Sequence, residues 1–125
     1  MRKQYYLRPA ETGVDAWDVD RLIELSRGRP VREVDVDSIG ELDQDHWFFH
    51  REDRPTVREI VEHIRLICDV DTSHPVILGP DGRLMDGMHR VARALLDGRT
   101  TIAAVQLEAL PLPDFRGCSP EDLPY

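Results

Sequence analysis

Pro75-Val76-Ile77-Leu78-Gly79-Pro80-Asp81-Gly82-Arg83-Leu84-Met85-Asp86-Gly87-Met88-His89-Arg90 is the stretch on which the fold turns. Its first four residues form an apolar run that predicts a short strand. Gly79-Pro80-Asp81-Gly82 predicts a turn, because proline presets φ and Gly82 is free to take a left-handed conformation. Arg83-Leu84-Met85 then reads as the returning strand, so residues 75–85 are expected to form a hairpin. Asp86-Gly87 breaks the strand. From about Met88, the residues Val91, Ala92, Ala94, Leu95 and Leu96 fall on a helix that Gly98 closes, and Thr101 to Leu107 predicts a last strand.

Working upstream, Thr56-Val57-Arg58-Glu59 is a capping box, and Val57, Ile60, Val61, Ile64, Leu66, Ile67 and Cys68 mark the helix behind it at near 3.6-residue spacing. Val31 to Asp37 alternates apolar and charged residues, the period of a half-buried strand. Trp17, Leu22, Ile23 and Leu25 suit a short amphipathic helix ended by Gly28 and Pro30. Residues 1–15 read as an irregular arm. Pro111, Pro113, Pro120 and Pro124 predict a tail lying over the surface or against a protein partner. Helices and strands intermingle around one antiparallel pair, which predicts an α+β domain with a small mixed sheet. The expected division is an N-terminal arm and helix over 1–30, a central domain over 31–110 and a Pro-rich tail over 111–125.

Composition narrows the class. A chain of 125 residues with 41% hydrophobic and 32% charged residues can bury a core without staples. No apolar run approaches the roughly 18 residues that cross a bilayer, and none follows Met1-Arg2-Lys3 as a secretory signal would, so a cytoplasmic protein with no membrane partner is expected. Cys68 and Cys118 form no metal-ligand spacing; Cys68, at the end of a helix, is expected in the core. The formal charge of −8 disfavours binding to DNA, where affinity comes from neutralising phosphates. The sequence leaves the oligomeric state open.

The chemistry concentrates where the hairpin hands over to the helix. A helix N-terminus presents unpaired N–H groups and about half a positive charge. His89 and Arg90 in that first turn oppose the dipole unless an anion lies between, a conflict expected at a functional site. Gly87 lets the backbone approach a ligand, Arg90 can take phosphate oxygens in a fork, and His89 can donate a further bond. Asp86 is left either to cap the helix or to hold a magnesium ion. The plainer alternative is an Asp-Gly turn followed by solvated side chains.

Residues from about 31 to 107 resemble the ParB/sulfiredoxin-like superfamily. The resemblance is carried by the quoted stretch, followed by Ala92, Ala94, Leu95, Gly98 and the strand from Ile102 to Leu107. It implies nucleotide phosphates (of ATP, ADP or CTP, with Mg) cradled on the loop Gly87, Met88, His89 and Arg90. Sulfiredoxins carry their catalytic cysteine where this chain has Met88, so sulfinic-acid reduction is not expected. Partition proteins of the ParB type continue into a helix-turn-helix region, whereas this sequence ends soon after its last strand, so centromere binding is not expected either. The D-G-x-H-R form is closest to the free-serine kinase group, which places an acidic base shortly after the first strand. The His-Glu pair of that group has no counterpart here. Leu42-Asp43 is nearest by spacing and Glu41 next, so Asp43, Glu41 and Asp86 are the candidate catalytic carboxylates, set against a merely solvated acidic turn.

His46-Trp47-Phe48-Phe49-His50 is either a core anchor or a pocket wall in which Trp47 and Phe49 pack on a base or substrate. His46 and His50 have i, i+4 spacing with no defined third ligand, and His63 and His74 look incidental. The leading expectation is a nucleotide-dependent phosphotransferase acting on a small hydroxyl compound, or a nucleotide hydrolase. A non-catalytic, nucleotide-gated interaction module is the alternative, and a DNA-associated regulator or nuclease comes third.

Overall fold

The computed structural model describes residues 3–125. The hairpin and its flanks form as the sequence predicts. Strand β4 (Val76–Leu78) and strand β5 (Leu84–Asp86) pair antiparallel, helix α3 covers Met88–Leu96, and strand β6 (Thr101–Gln106) returns parallel to β4. Strand β3 (Arg32–Asp35) lies antiparallel on the far side of β6, giving a four-stranded mixed sheet in the order β3-β6-β4-β5. The alternation expected over 31–37 stops early, because Val36–Ser38 winds into a 3₁₀ turn that drops Val36 into the core. A second 3₁₀ turn follows at Gly40–Asp43.

Both faces of this sheet are covered, which is why β4 is apolar throughout rather than alternating. Val76, Leu78 and Leu84 face a core with Val36, Ile39, Met88, Val91 and Ala94. Ile77 and Met85 face the opposite way, into a core with Tyr6, Trp17, Leu22 and Leu107.

That second core corrects the reading of the chain's two ends. The irregular arm expected over 1–15, of which residues 1 and 2 lie outside the described residues, is instead built from strands. Strand β1 (Tyr5–Pro9) and strand β2 (Val14–Asp18) form an antiparallel hairpin, and strand β7 (Phe115–Cys118) pairs with the other edge of β2. Trp17 belongs to β2, and helix α1 starts only at Val19 (Val19–Ser26), where the Asp18 carboxylate accepts from the Asp20 N–H at 2.9 Å. The Pro-rich tail packs on its own chain: the Trp17 indole N–H donates to the Pro111 carbonyl at 2.8 Å, and Leu123 is buried.

Helix α2 (Val57–Asp69) carries the expected capping box: Thr56 Oγ1 accepts from the Glu59 N–H at 3.2 Å, and the Glu59 carboxylate accepts from the Thr56 N–H at 2.9 Å. None of its residues is buried, however, and Cys68, expected in the core, is exposed.

Candidate phosphate-binding site

Strand β5 ends at Asp86, and Gly87 turns the chain with φ 111° and serves as the N-cap of α3. Only glycine suits this position. A Cβ here would lie 2.7 Å from both Arg90 Nη2 and Val76 Cγ1, besides holding a left-handed backbone that side chains disfavour. No side chain caps the helix start. The backbone thus delivers Arg90 one turn into α3, folded back over Gly87.

Arg90 Nη2 donates to Asp86 Oδ2 at 2.9 Å, and both side chains are about five-sixths buried. The pair leaves Arg90 Nε buried with no acceptor among the described residues. An unpaired buried donor is costly, on the order of 1–3 kcal/mol, and more for a charged group. Beside the pair lies a polar cavity of about 280 Å³, lined by Arg90, Arg93, Arg99, His74, Asp97 and the end of α2. Arg93 is held by Asp97 at 2.9 Å and by the Cys68 carbonyl, so it also closes the C-terminus of α2. Arg99 makes no ion pair among the described residues. Three guanidiniums line this wall; Arg90 is paired with Asp86 and Arg93 with Asp97, which leaves Arg99 as its unpaired positive charge in a chain of net charge −8.

His89 points elsewhere. Its Nε2 meets His63 Nδ1 at 2.8 Å, so one ring donates and the other accepts. Both imidazoles stack on Trp47, with ring centroids 4.7 Å and 4.2 Å away and planes within 20°. Burial, reinforced by the neighbouring His63, His46 and Arg90, holds the His89 imidazole down to about 4, and burial lowers His63 as well. His89 is therefore a neutral ring locking α2 to α3, and it offers no charge to an anion as it stands. Met88 is buried in the core beneath the loop.

The remaining candidates divide between places. Glu41 accepts from the Leu84 N–H at 2.6 Å and so fastens the 3₁₀ turn to β5. Together with Phe49 it lines a different cavity, of about 500 Å³, whose wall also includes Arg8, Asp81, Arg83 and His46. Asp43 is exposed and lines neither cavity; Trp47, half-buried against the core, lines neither. Of the three candidate carboxylates, only Asp86 touches Arg90. Sequence reasoning missed His63, Arg93 and Arg99. The spacing of 89, 93 and 96 on one side of α3 was a signal for Arg93, whereas nothing in the sequence pairs residue 63 with residue 89.

No protein-family model, no curated protein and no solved structure matches the chain. Among the described residues the architecture is mixed α/β, with two small sheets and three α-helices. No helix among the described residues is long and apolar enough to cross a membrane.

Proposed function

We propose that this domain binds a phosphate-bearing ligand, in keeping with its loop motif a nucleotide, with the anion held between Arg90, Arg93 and Arg99. The observation that carries the reading is the cavity that Arg90, Arg93 and Arg99 line together, with Arg99 free of any ion pair among the described residues. Guanidinium forks suit phosphate oxygens, and a partly enclosed site strengthens each charge-assisted bond. His74, on the cavity wall 3.4 Å from Asp71, is within reach to add a donor.

On this reading Asp86 holds Arg90 in place until phosphate replaces it. Arg90 then turns its fork to the anion, and the Asp86 carboxylate is freed. Magnesium in nucleotide sites takes one or two carboxylates together with phosphate oxygens and water, so a single freed Asp86 fits that donor set. Of the three carboxylates the sequence offers, it is the one in contact with Arg90, and on this reading it accepts a proton from a hydroxyl acceptor in a phosphotransferase or hydrolase. The non-catalytic alternative gains support from the commitment of Glu41 to Leu84 and from its place in the other cavity.

Calorimetric titration with ATP, ADP, CTP and inorganic phosphate, with and without magnesium, tests the binding. Arg99→Ala, which breaks no internal ion pair, is expected to weaken binding about tenfold or more, and Arg90→Lys to weaken it by losing the fork. Absence of heat for every ligand at millimolar concentration sinks the proposal. Asp86→Asn then separates the two versions: an enzyme loses turnover, and a binding module has none to lose.

A further inference from the structure

The cavity that Arg90, Arg93 and Arg99 line is small, about 280 Å³. Pockets that enclose drug-sized ligands run to roughly 300–1,000 Å³, and a nucleotide is a ligand of that size. The cavity therefore holds a phosphoryl group and little more, and the rest of a nucleotide lies outside it. Beyond the arginines its polar side chains suit small hydroxyl-bearing groups better than a flat base, with the Thr72 hydroxyl and the Asp97 carboxylate on the wall. Its one ring is the His74 imidazole, a side chain 68% exposed and 3.4 Å from Asp71, which lies outside the lining.

A base is held most simply on an aromatic platform, and such stacking contributes on the order of tenfold or more in affinity. Here the aromatic side chains are engaged elsewhere. Trp47, which the sequence offers as a platform for a base, is stacked with His63 and His89 at 4.2 Å and 4.7 Å and packs against the core that holds Met88. Phe48 stands edge-on to His63 with the Arg51 guanidinium over its ring. Phe49 lines the other cavity. Tyr6 and Trp17 are buried in the second core, and Tyr5 meets Phe115 and Tyr125 edge to face. These are all eight Trp, Tyr and Phe residues of the chain, and none of them lines the arginine cavity.

We infer that the site reads the phosphoryl group of its ligand and not a base, so that its ligand class is the phosphate monoesters of small hydroxyl compounds, to which nucleotides belong through their phosphates alone. The inference rests on the phosphate reading above and narrows it. Arg99 and the Arg90 fork take the phosphoryl oxygens, and Thr72 and Asp97 on the same wall are left for hydroxyls beside it. A base attached beyond those hydroxyls meets solvent, and exchanging one base for another, or removing it, costs little.

Calorimetric titration of the full chain with ribose 5-phosphate, AMP, CMP and adenosine tests this. The phosphate esters are expected to bind with dissociation constants within about threefold of one another, and adenosine to give no heat. Arg99→Ala weakens the three esters by a common factor. A second readout maps the ligand itself. In saturation-transfer NMR with AMP, the ribose 5′-methylene protons are expected to respond most strongly and adenine H2 most weakly. AMP binding about tenfold or more tighter than ribose 5-phosphate, a similar preference between AMP and CMP, or adenine H2 responding most strongly overturns the inference and leaves the phosphate reading standing. No heat from any ester, nor from inorganic phosphate, at millimolar concentration removes the phosphate reading and this inference with it.

Discussion

At the scale of single residues, the loop divides its labour differently from its motif. The motif suggests that His89 and Arg90 act together on an anion, but packing separates them. Arg90 turns to Asp86 and the arginine-lined cavity, and His89 turns to His63 and Trp47. This gives His89 a pH signature. Its folded-state value of about 4 lies below the roughly 6.5 of an unfolded histidine, so the unfolded chain binds the extra proton first. Stability is complete above about pH 6.5 and declines as pH falls towards 4, and the depressed His63 acts in the same sense. Thermal melts across this window are expected to show a falling midpoint in the wild type and a flatter profile in His89→Gln. An equal slope in both proteins would remove His89 as the cause. Sequence spacing could place His89 and Arg90 in a first helical turn but could not pair His63 with His89, because that contact joins two helices through tertiary packing.

At the scale of elements, local chemistry decided what could be read. The capping box at Thr56, the turn at Pro80-Asp81-Gly82 and the break at Asp86-Gly87 depend on neighbouring residues, and all three appear where the sequence puts them. Strands β1 and β2 escaped because their pattern is not alternating. Ala16 and Trp17 are both buried, one after the other, where β2 is covered by β1, β7 and α1. Gly87 is the element-scale prediction. Gly87→Ala forces a left-handed residue and pushes a methyl group against Val76 and the Arg90 guanidinium, so a loss of about 1–3 kcal/mol in denaturant unfolding is expected. Gly28→Ala, at a left-handed position with nothing near its added Cβ, isolates the backbone strain and should cost less. Equal losses would mean that the close approach of Arg90 contributes nothing.

At the scale of the whole molecule, the two ends of the chain are joined through β2, which β1 and β7 flank. The mixed sheet lies between this second sheet with α1 on one side and α3 on the other, and the β5–α3 junction is anchored in both cores, by Leu84 and Met88 in one and Met85 in the other. Ending the chain after Leu110 removes β7, buried Leu123 and the acceptor of the Trp17 indole N–H. A lower melting temperature is therefore expected, together with loosening of Trp17 seen as a red shift in its fluorescence. An unchanged melt would show that the tail is dispensable to the fold. Charge at this scale was legible only as a total. The value of −8 is a sum over the chain and hides the cluster of Arg90, Arg93 and Arg99, which forms only when α3 and the turn into β6 come together.

The claim at the centre of this account is that Arg90 and its neighbours receive a phosphate, and its most direct test is the arginine Nε–H region of a ¹⁵N-resolved NMR spectrum during titration with magnesium-ADP. The account predicts that the Arg90 Nε–H, without an acceptor in the free protein, shifts together with Arg99 and saturates with them, while Arg8 and Arg83 in the other cavity stay fixed. Saturable shifts confined to Arg8 and Arg83, or none at any arginine, would contradict it.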